Sequence, residues 1–352
     1  MRIGLDATPL LGARTGVGRY TGALLGALAR GGSDELVATA FTLRGRGALR
    51  VPDGVEVRAR ALPARGLHEL WARTSLPPVE WLTGRLDVFH ATNFVLPPLR
   101  RAGGVVTVHD LAFLHHTATV SAASARYRAL VPRSIGRASV VVTPSEAVAE
   151  QVREAYAPRV PVLAVPHGVG SAWHAATPPD DALRARLGLP SSYVLFVGTL
   201  EPRKDVRTLL AAHALLPGAP PLVLVGPPGW GASLDVRDAV TPGYLGNEDL
   251  RPVVAGAAAL VLPSRDEGFG LPVLEAMAAG TPVVASDLPV LREVGGDMTT
   301  YADPGNPESF AAALSAVLSS PGDPVARQAH VRGFTWARCA ELTHAAYRQA
   351  CE

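Results

Sequence analysis

The sequence predicts an α/β protein of two doubly wound domains, each built around a parallel sheet. Three observations predict it. Short apolar runs alternate with helical stretches along most of the chain, as βα units do. A length of 352 residues suits two ordinary hydrophobic cores rather than one. The texture changes once in mid-chain, over residues 166–192, where Pro178-Pro-Asp-Asp181 appears and strand signals stop.

In chain order, residues 3–7 form the first expected strand. Thr15-Gly-Val-Gly-Arg-Tyr20 reads as a glycine loop opening a helix that runs to about residue 29. Further strands are expected at 36–43, 55–60, 88–90, 105–108, 140–142 and 162–165, with helices at 121–137 and 146–156 between some of them. The stretch 58–73 carries Arg58, Arg60, Arg65 and Arg73. Its Leu67, Leu70 and Trp71 are helix-spaced, so a solvated helix with one packed face is favoured over an acceptor- or membrane-facing segment. Val165-Pro-His-Gly-Val169 closes the first domain, with Gly168 as a turn or hinge.

Domain one therefore covers 1–168, the linker 169–192 (with a short helix at 183–187), and domain two 193–334. The second βα series has strands expected at 193–197, 222–225, 243–245, 260–262, 283–285 and 299–301. Asn306-Pro-Glu-Ser starts a helix over 309–318, and 336–350 is the last helix.

Bulk properties exclude several classes. No window approaches 18 uninterrupted apolar residues, so no transmembrane helix is expected. The first residues run straight into a strand, which leaves no room for a signal peptide. Cys339 and Cys351 on one helix would lie about 18 Å apart, too far to bridge, which fits a reducing cytoplasm. A net charge of +2 without a basic-aromatic module does not indicate nucleic acid, while a weak peripheral attraction to the inner face of an anionic membrane stays open. No Cys/His cluster has zinc spacing, and Asp235-Val-Arg-Asp238 lacks the spacing of an Asp-x-Asp metal motif, so neither metal nor cofactor is expected.

The chemistry concentrates after the apolar run that begins at Ala258. There Glu267-Gly-Phe-Gly-Leu-Pro-Val-Leu-Glu275 reads as a glycine loop and the first turns of a helix. Gly268 and Gly270 permit unusual dihedrals, Pro272 suits a helix start, and Gly280 with Pro282 stops the helix. The amides of Gly268, Phe269, Gly270 and Leu271 and the helix N-terminus favour an anion. Glu267 and Glu275 bracket that anion site and accept hydrogen bonds from hydroxyls, so the combination suits a sugar nucleotide. Gly198-Thr-Leu-Glu-Pro-Arg-Lys-Asp205 follows the first strand of the same domain. It places Arg203 and Lys204 ahead of a helix over 206–216, with Asp205 as N-cap. In domain one, Thr107-Val-His-Asp-Leu-Ala-Phe113 sets His109 and Asp110 just past a strand.

These motifs together resemble the retaining glycosyltransferases of GT-B fold, above all family 4 with its E-x7-E signature, and the resemblance spans nearly the whole chain. It implies two Rossmann-like domains with an interdomain cleft, an acceptor-side N-terminal domain, a donor-side C-terminal domain and a last helix, 335–352, that crosses back. It implies that Arg203 and Lys204 clamp the donor diphosphate, Glu275 holds the ribose, Glu267 binds the transferred sugar, and Tyr244 and Leu245 flank the base. It also implies that Gly16 and Gly18 face the sugar phosphate and that His109 contacts the sugar or its phosphate. Asp110, which would orient His109 or bind acceptor, and Arg19 are set on the acceptor side. Relatives often have Asn in place of Asp205, and Asn-Gly in place of His167-Gly168. The pattern of motifs is most like mannosyltransferases using GDP-mannose, with UDP- and dTDP-sugars as alternatives. The implied activity is metal-free transfer of a hexose to a glycan, lipid-linked or small-molecule hydroxyl. A sugar-nucleotide epimerase of the same fold, or a non-catalytic sugar-nucleotide-binding subunit, would use many of the same residues.

Overall fold

The computed structural model describes residues 1–11, 16–32, 34–43, 49–115, 122–230 and 234–352. The chain divides into two compact units. One comprises Met1–His115, Ala122–Gly168 and Phe334–Glu352, and the other includes Val169–Gly333.

The first unit holds a seven-stranded parallel sheet. Its strands are β1 (Arg2–Asp6), β2 (Glu35–Phe41), β3 (Glu56–Arg60), β4 (Val88–Ala91), β5 (Gly103–Thr107), β6 (Val140–Thr143) and β7 (Val162–Ala164), in the order β3-β2-β1-β4-β5-β6-β7. The second unit holds β8 (Val194–Val197), β9 (Leu222–Val225), β10 (Val240–Gly243), β11 (Ala259–Leu262), β12 (Val283–Ser286) and β13 (Thr300–Ala302), in the order β10-β9-β8-β11-β12-β13. Both are doubly wound. The order reverses between β1 and β4 in one sheet and between β8 and β11 in the other, and such switch points open a crevice at the carboxyl ends of the strands. Strands β6, β8, β9, β11 and β12 are buried along their whole length. Helices cover both faces, which is why these strands read as continuous apolar runs rather than as an alternating pattern.

Three elements differ from the sequence expectation. The strand expected at 243–245 is β10, three residues earlier. It is an edge strand with an irregular register, it contains Pro242, and it ends where Gly243 turns to φ 78°. A proline is tolerated only at such an edge, so this strand carries little apolar signal. The helix expected over 121–137 is two, Ala122–Ala125 and Tyr127–Arg137, with residue 121 outside the described set. Residues 169–192 group with the second unit: they form helices Ser171–His174 and Asp181–Leu187, and Trp173 is buried. In the helix Ala64–Arg73, Leu67 and Trp71 are buried as expected for a packed face, whereas Leu70 is exposed. No helix among the described residues is long and apolar enough to cross a membrane.

The last helix, Trp336–Cys351, belongs to the first unit. Cys339, Ala340, Ala346, Tyr347 and Ala350 join the core formed with Ile3, Tyr20, Leu24 and Val105. Cys339 and Cys351 are both free thiols on this helix. Gly168 is required here by close approach, not by a turn. A Cβ on it would lie 2.1 Å from the Trp336 nitrogen and 2.3 Å from the Thr335 carbonyl carbon. Backbone cannot yield as a flexible side chain does. Gly168→Ala is therefore expected to destabilise the protein by about 3 kcal/mol, the upper part of the overpacking range. In a thermal melt that is a fall of roughly 6–12 °C.

Candidate active site

In the second unit the loops that follow β8 and β11 meet at the switch point of the sheet. They are joined by backbone and side chain: the Arg265 amide donates to the Arg203 carbonyl at 2.9 Å, and Arg265 Nε donates to Asp205 Oδ2 at 2.8 Å. The loop after β9 braces the first of them. Leu200 bridges to Pro228, and Gly226 and Gly229 approach Gly198 and Leu200 so closely that a Cβ would come within 2.1 Å of their carbonyl oxygens. Only glycine fits at these two positions.

Four charged side chains converge in this framework. Lys204 Nζ donates to Glu267 Oε1 at 2.5 Å, and the same oxygen accepts from Ser264 Oγ at 2.7 Å. Arg203 Nη1 stands 3.8 Å from Glu267 Oε2 and donates to the Asp266 carbonyl at 2.8 Å. Its Nε and Nη2 lie 3.1 and 2.9 Å from Glu201 Oε1. Glu201 and Glu267 are both buried. Burial would by itself raise the Glu267 carboxyl. The Lys204 and Arg203 charges, with the hydrogen bonds from Lys204 and Ser264, outweigh it and hold the group below its usual range. Glu267 is therefore a carboxylate at neutral pH. One of its oxygens accepts from two donors, and the other faces Arg203 Nη1.

The expected cation pair is thus present but engaged by the protein's own oxygens. Asp205 departs from its expected role. It occupies the position before the helix Val206–Ala214 but has φ 46°, and its side chain accepts from Thr208 Oγ1 and Arg265 Nε rather than capping a helix amide. Left-handed backbone is tolerated best by Gly, Asn and Asp, which explains the residue type without a cap.

Past β11, Gly270 has φ 92° and precedes the helix Leu271–Ala278. Gly268 is not among the positive-φ residues, so only the second of the two glycines is required by dihedral. Phe269 is buried, and Glu275, 3% exposed, lies one turn inside the helix. Tyr244 and Leu245 follow the edge strand β10, with Tyr244 exposed and Leu245 buried.

In the first unit Gly16 and Gly18 lie in the first turn of the helix Gly16–Gly31 rather than in a loop, and neither has positive φ. The expected glycine turn is therefore a helix start, while Thr15 lies outside the described residues. Arg19 is on the same helix. His109 follows β5 and is nearly buried. Its Nε2 is 2.8 Å from the Thr92 carbonyl, and burial pushes it below the ordinary histidine value against the smaller upward pull of that carbonyl and Asp110. Asp110 does not hold the ring. Its Oδ1 accepts from the Ala112 amide instead.

Comparison with known proteins agrees with this geometry. Residues 191–320 match the model described as glycosyl transferases group 1, and residues 15–168 match the glycosyl transferase 4-like domain. The chain is 32% identical over 286 residues to O-antigen chain mannosyltransferase B of Escherichia coli, covering 74% of each. The chain belongs to glycosyltransferase family 4. The fold of this glycosyltransferase is GT-B. It superposes on sucrose-phosphate synthase from Thermosynechococcus elongatus with a TM-score of 0.77 at 20% identity, covering 99% of this chain and 98% of that one. For Anabaena HepE in complex with UDP and glucose the TM-score is 0.71 at 17% identity, covering 97% and 98%.

Sequence reasoning did not single out two members of the glycosyltransferase's charged cluster. Glu201 was visible inside Gly-Thr-Leu-Glu-Pro-Arg-Lys, and Ser264 is the first polar residue after β11. Glu201 pairs with Arg203 two residues on and Ser264 with Glu267 three residues on, pairings set by how each loop folds back rather than by spacing alone.

Proposed function

We propose that this glycosyltransferase transfers α-mannose from GDP-mannose, with retention of configuration and without a metal, to a hydroxyl of a glycan, lipid-linked or small-molecule acceptor. The observation that carries the reading is Glu267, held ionised between Lys204, Ser264 and Arg203 at the carboxyl ends of β8 and β11. A sugar hydroxyl donates to Glu267. The diphosphate takes Arg203 and Lys204 together with the N-terminus of the helix Leu271–Ala278. Glu275 accepts from the ribose, and Tyr244 and Leu245 flank the base. His109 of the first unit contacts the substrate, and the first turn of the helix Gly16–Gly31 suits a phosphate. The leaving phosphate helps to deprotonate the acceptor hydroxyl, so no side-chain nucleophile is needed.

The name of the Escherichia coli relative supports mannose, and the UDP and glucose in the HepE structure support a nucleotide-sugar donor class. A cytoplasmic setting with weak attraction to anionic lipid belongs to the same reading and rests on composition alone. A thermal-shift screen of GDP-, UDP- and dTDP-sugars in EDTA tests the donor, because a ligand that binds the folded state raises the melting point. GDP-mannose is expected to give the largest rise. A larger rise with a UDP- or dTDP-sugar would overturn the base assignment, and a rise that depends on added magnesium would overturn the metal-free one.

A further inference from the structure

The chain leaves β4 at the switch point of the first sheet, between β1 and β5. The first residue out is Thr92, fully buried. Its hydroxyl donates to the Asp6 carbonyl at the end of β1 at 2.6 Å and accepts from Thr21 Oγ1 at 3.2 Å. Its carbonyl faces His109 Nε2 at 2.8 Å. Two residues on, Phe94 has φ 59°, and the Val95 amide donates across it to the Asn93 carbonyl at 2.6 Å. This is a three-residue turn of the rare positive-φ kind, and a bulky residue holds such a conformation only where its surroundings impose it. The surroundings do so here. The Phe94 amide donates to the Thr107 carbonyl of β5 at 3.0 Å, and the Phe94 ring stands edge-on to His109 with centroids 5.6 Å apart. On another side Tyr20 is edge-on to His109 at 5.1 Å. The strained corner and its packing fix both the Thr92 carbonyl and the plane of the His109 ring.

A carbonyl oxygen only accepts. The hydrogen on the bond to Thr92 therefore belongs to His109 Nε2, and a neutral ring then carries none on Nδ1. We propose that Thr92 is a positioning residue: its carbonyl fixes His109 in the Nε2–H tautomer, so that His109 meets the substrate through Nδ1, as acceptor of a hydroxyl hydrogen bond. The proposal rests on the reading of His109 as a substrate-contacting residue and narrows it. Such a ring binds a sugar or acceptor hydroxyl. It neither donates to a phosphate oxygen nor supplies a positive charge to the leaving group. Burial, which holds His109 below the ordinary histidine value, is consistent with the neutral form.

Nitrogen NMR of the full chain labelled at histidine, with His109→Gln to assign the signal, reads the tautomer without substrate. A neutral ring protonated at Nε2 is expected at pH 7. An Nδ1–H tautomer or an imidazolium overturns the proposal. Thr92→Val removes the hydroxyl that ties the carbonyl to Asp6 while keeping the side-chain shape. Turnover is expected to fall about tenfold, the scale of a small misplacement of a contacting group, with the donor KM unchanged within about twofold. Thr92→Ser is expected to restore turnover. Unchanged turnover in Thr92→Val, or no rescue by serine, contradicts the positioning role. If the valine variant fails to fold, the tautomer of the unaltered protein still decides. If the GDP-mannose assignment fails in the donor screen, the tautomer result is unaffected, so the two failures are distinguishable.

Discussion

Replacing Arg203 and Lys204 together by alanine is expected to lower kcat by about 10²–10⁴-fold while raising the donor Kd much less. Cleavage of the glycosyl–phosphate bond leaves extra negative charge on the diphosphate, and charge-assisted hydrogen bonds to it tighten as that charge develops. Two such bonds at about 1.5–3 kcal/mol each give roughly 3–6 kcal/mol, and 1.36 kcal/mol is a decade in rate. In the fold both cations are held by Glu201, Glu267 and the Asp266 carbonyl. They are therefore pre-positioned by acids, and the double variant also strips Glu267 of the charges that keep its buried carboxyl ionised. The matched control is Lys204→Ala alone, which leaves Arg203 3.8 Å from Glu267 and should lose less than the pair. Steady-state kinetics beside donor titration checks this. Equal losses in affinity and catalytic efficiency with kcat unchanged would contradict the transition-state role.

Glu275→Ala is expected to act on binding instead. The residue is 3% exposed, in a helix whose neighbouring positions Val273, Leu274, Ala276, Met277 and Ala278 are also buried. A carboxylate that accepts from a ribose hydroxyl contributes about 1.5–3 kcal/mol, so its loss should weaken nucleotide-sugar affinity about ten- to a hundredfold. Alanine is a strong helix former and leaves the helix Leu271–Ala278 intact. The two variants are thus expected to separate the proposed site by its chemistry, Arg203 and Lys204 through the rate and Glu275 through the affinity.

Much of this was legible in the sequence because the signals are local. Buried parallel strands announce themselves as apolar runs, and the glycine and proline around Glu267 mark a loop entering a helix. The least legible strand was β10, where an edge position with Pro242 removes the apolar signal. Asp205 shows a second limit: the residue type was compatible with a cap, yet its left-handed backbone and the guanidinium of Arg265, from another loop, decide what it does. Gly16 and Gly18 show a third, since glycines before a helix look alike whether they turn the chain or begin the helix. Thr92 and Phe94 carry no motif at all. Their part depends on which strands are neighbours in the sheet, and that becomes visible only when β1, β4 and β5 are assembled.

The proposed donor site of the second unit is tested most directly by calorimetric titration of GDP-mannose into the full chain in EDTA, with Glu275→Ala alongside. The expected result is saturable one-to-one binding without metal, weakened about ten- to a hundredfold in the variant. Equal affinity of the two proteins, or binding that appears only when magnesium is restored, would contradict it.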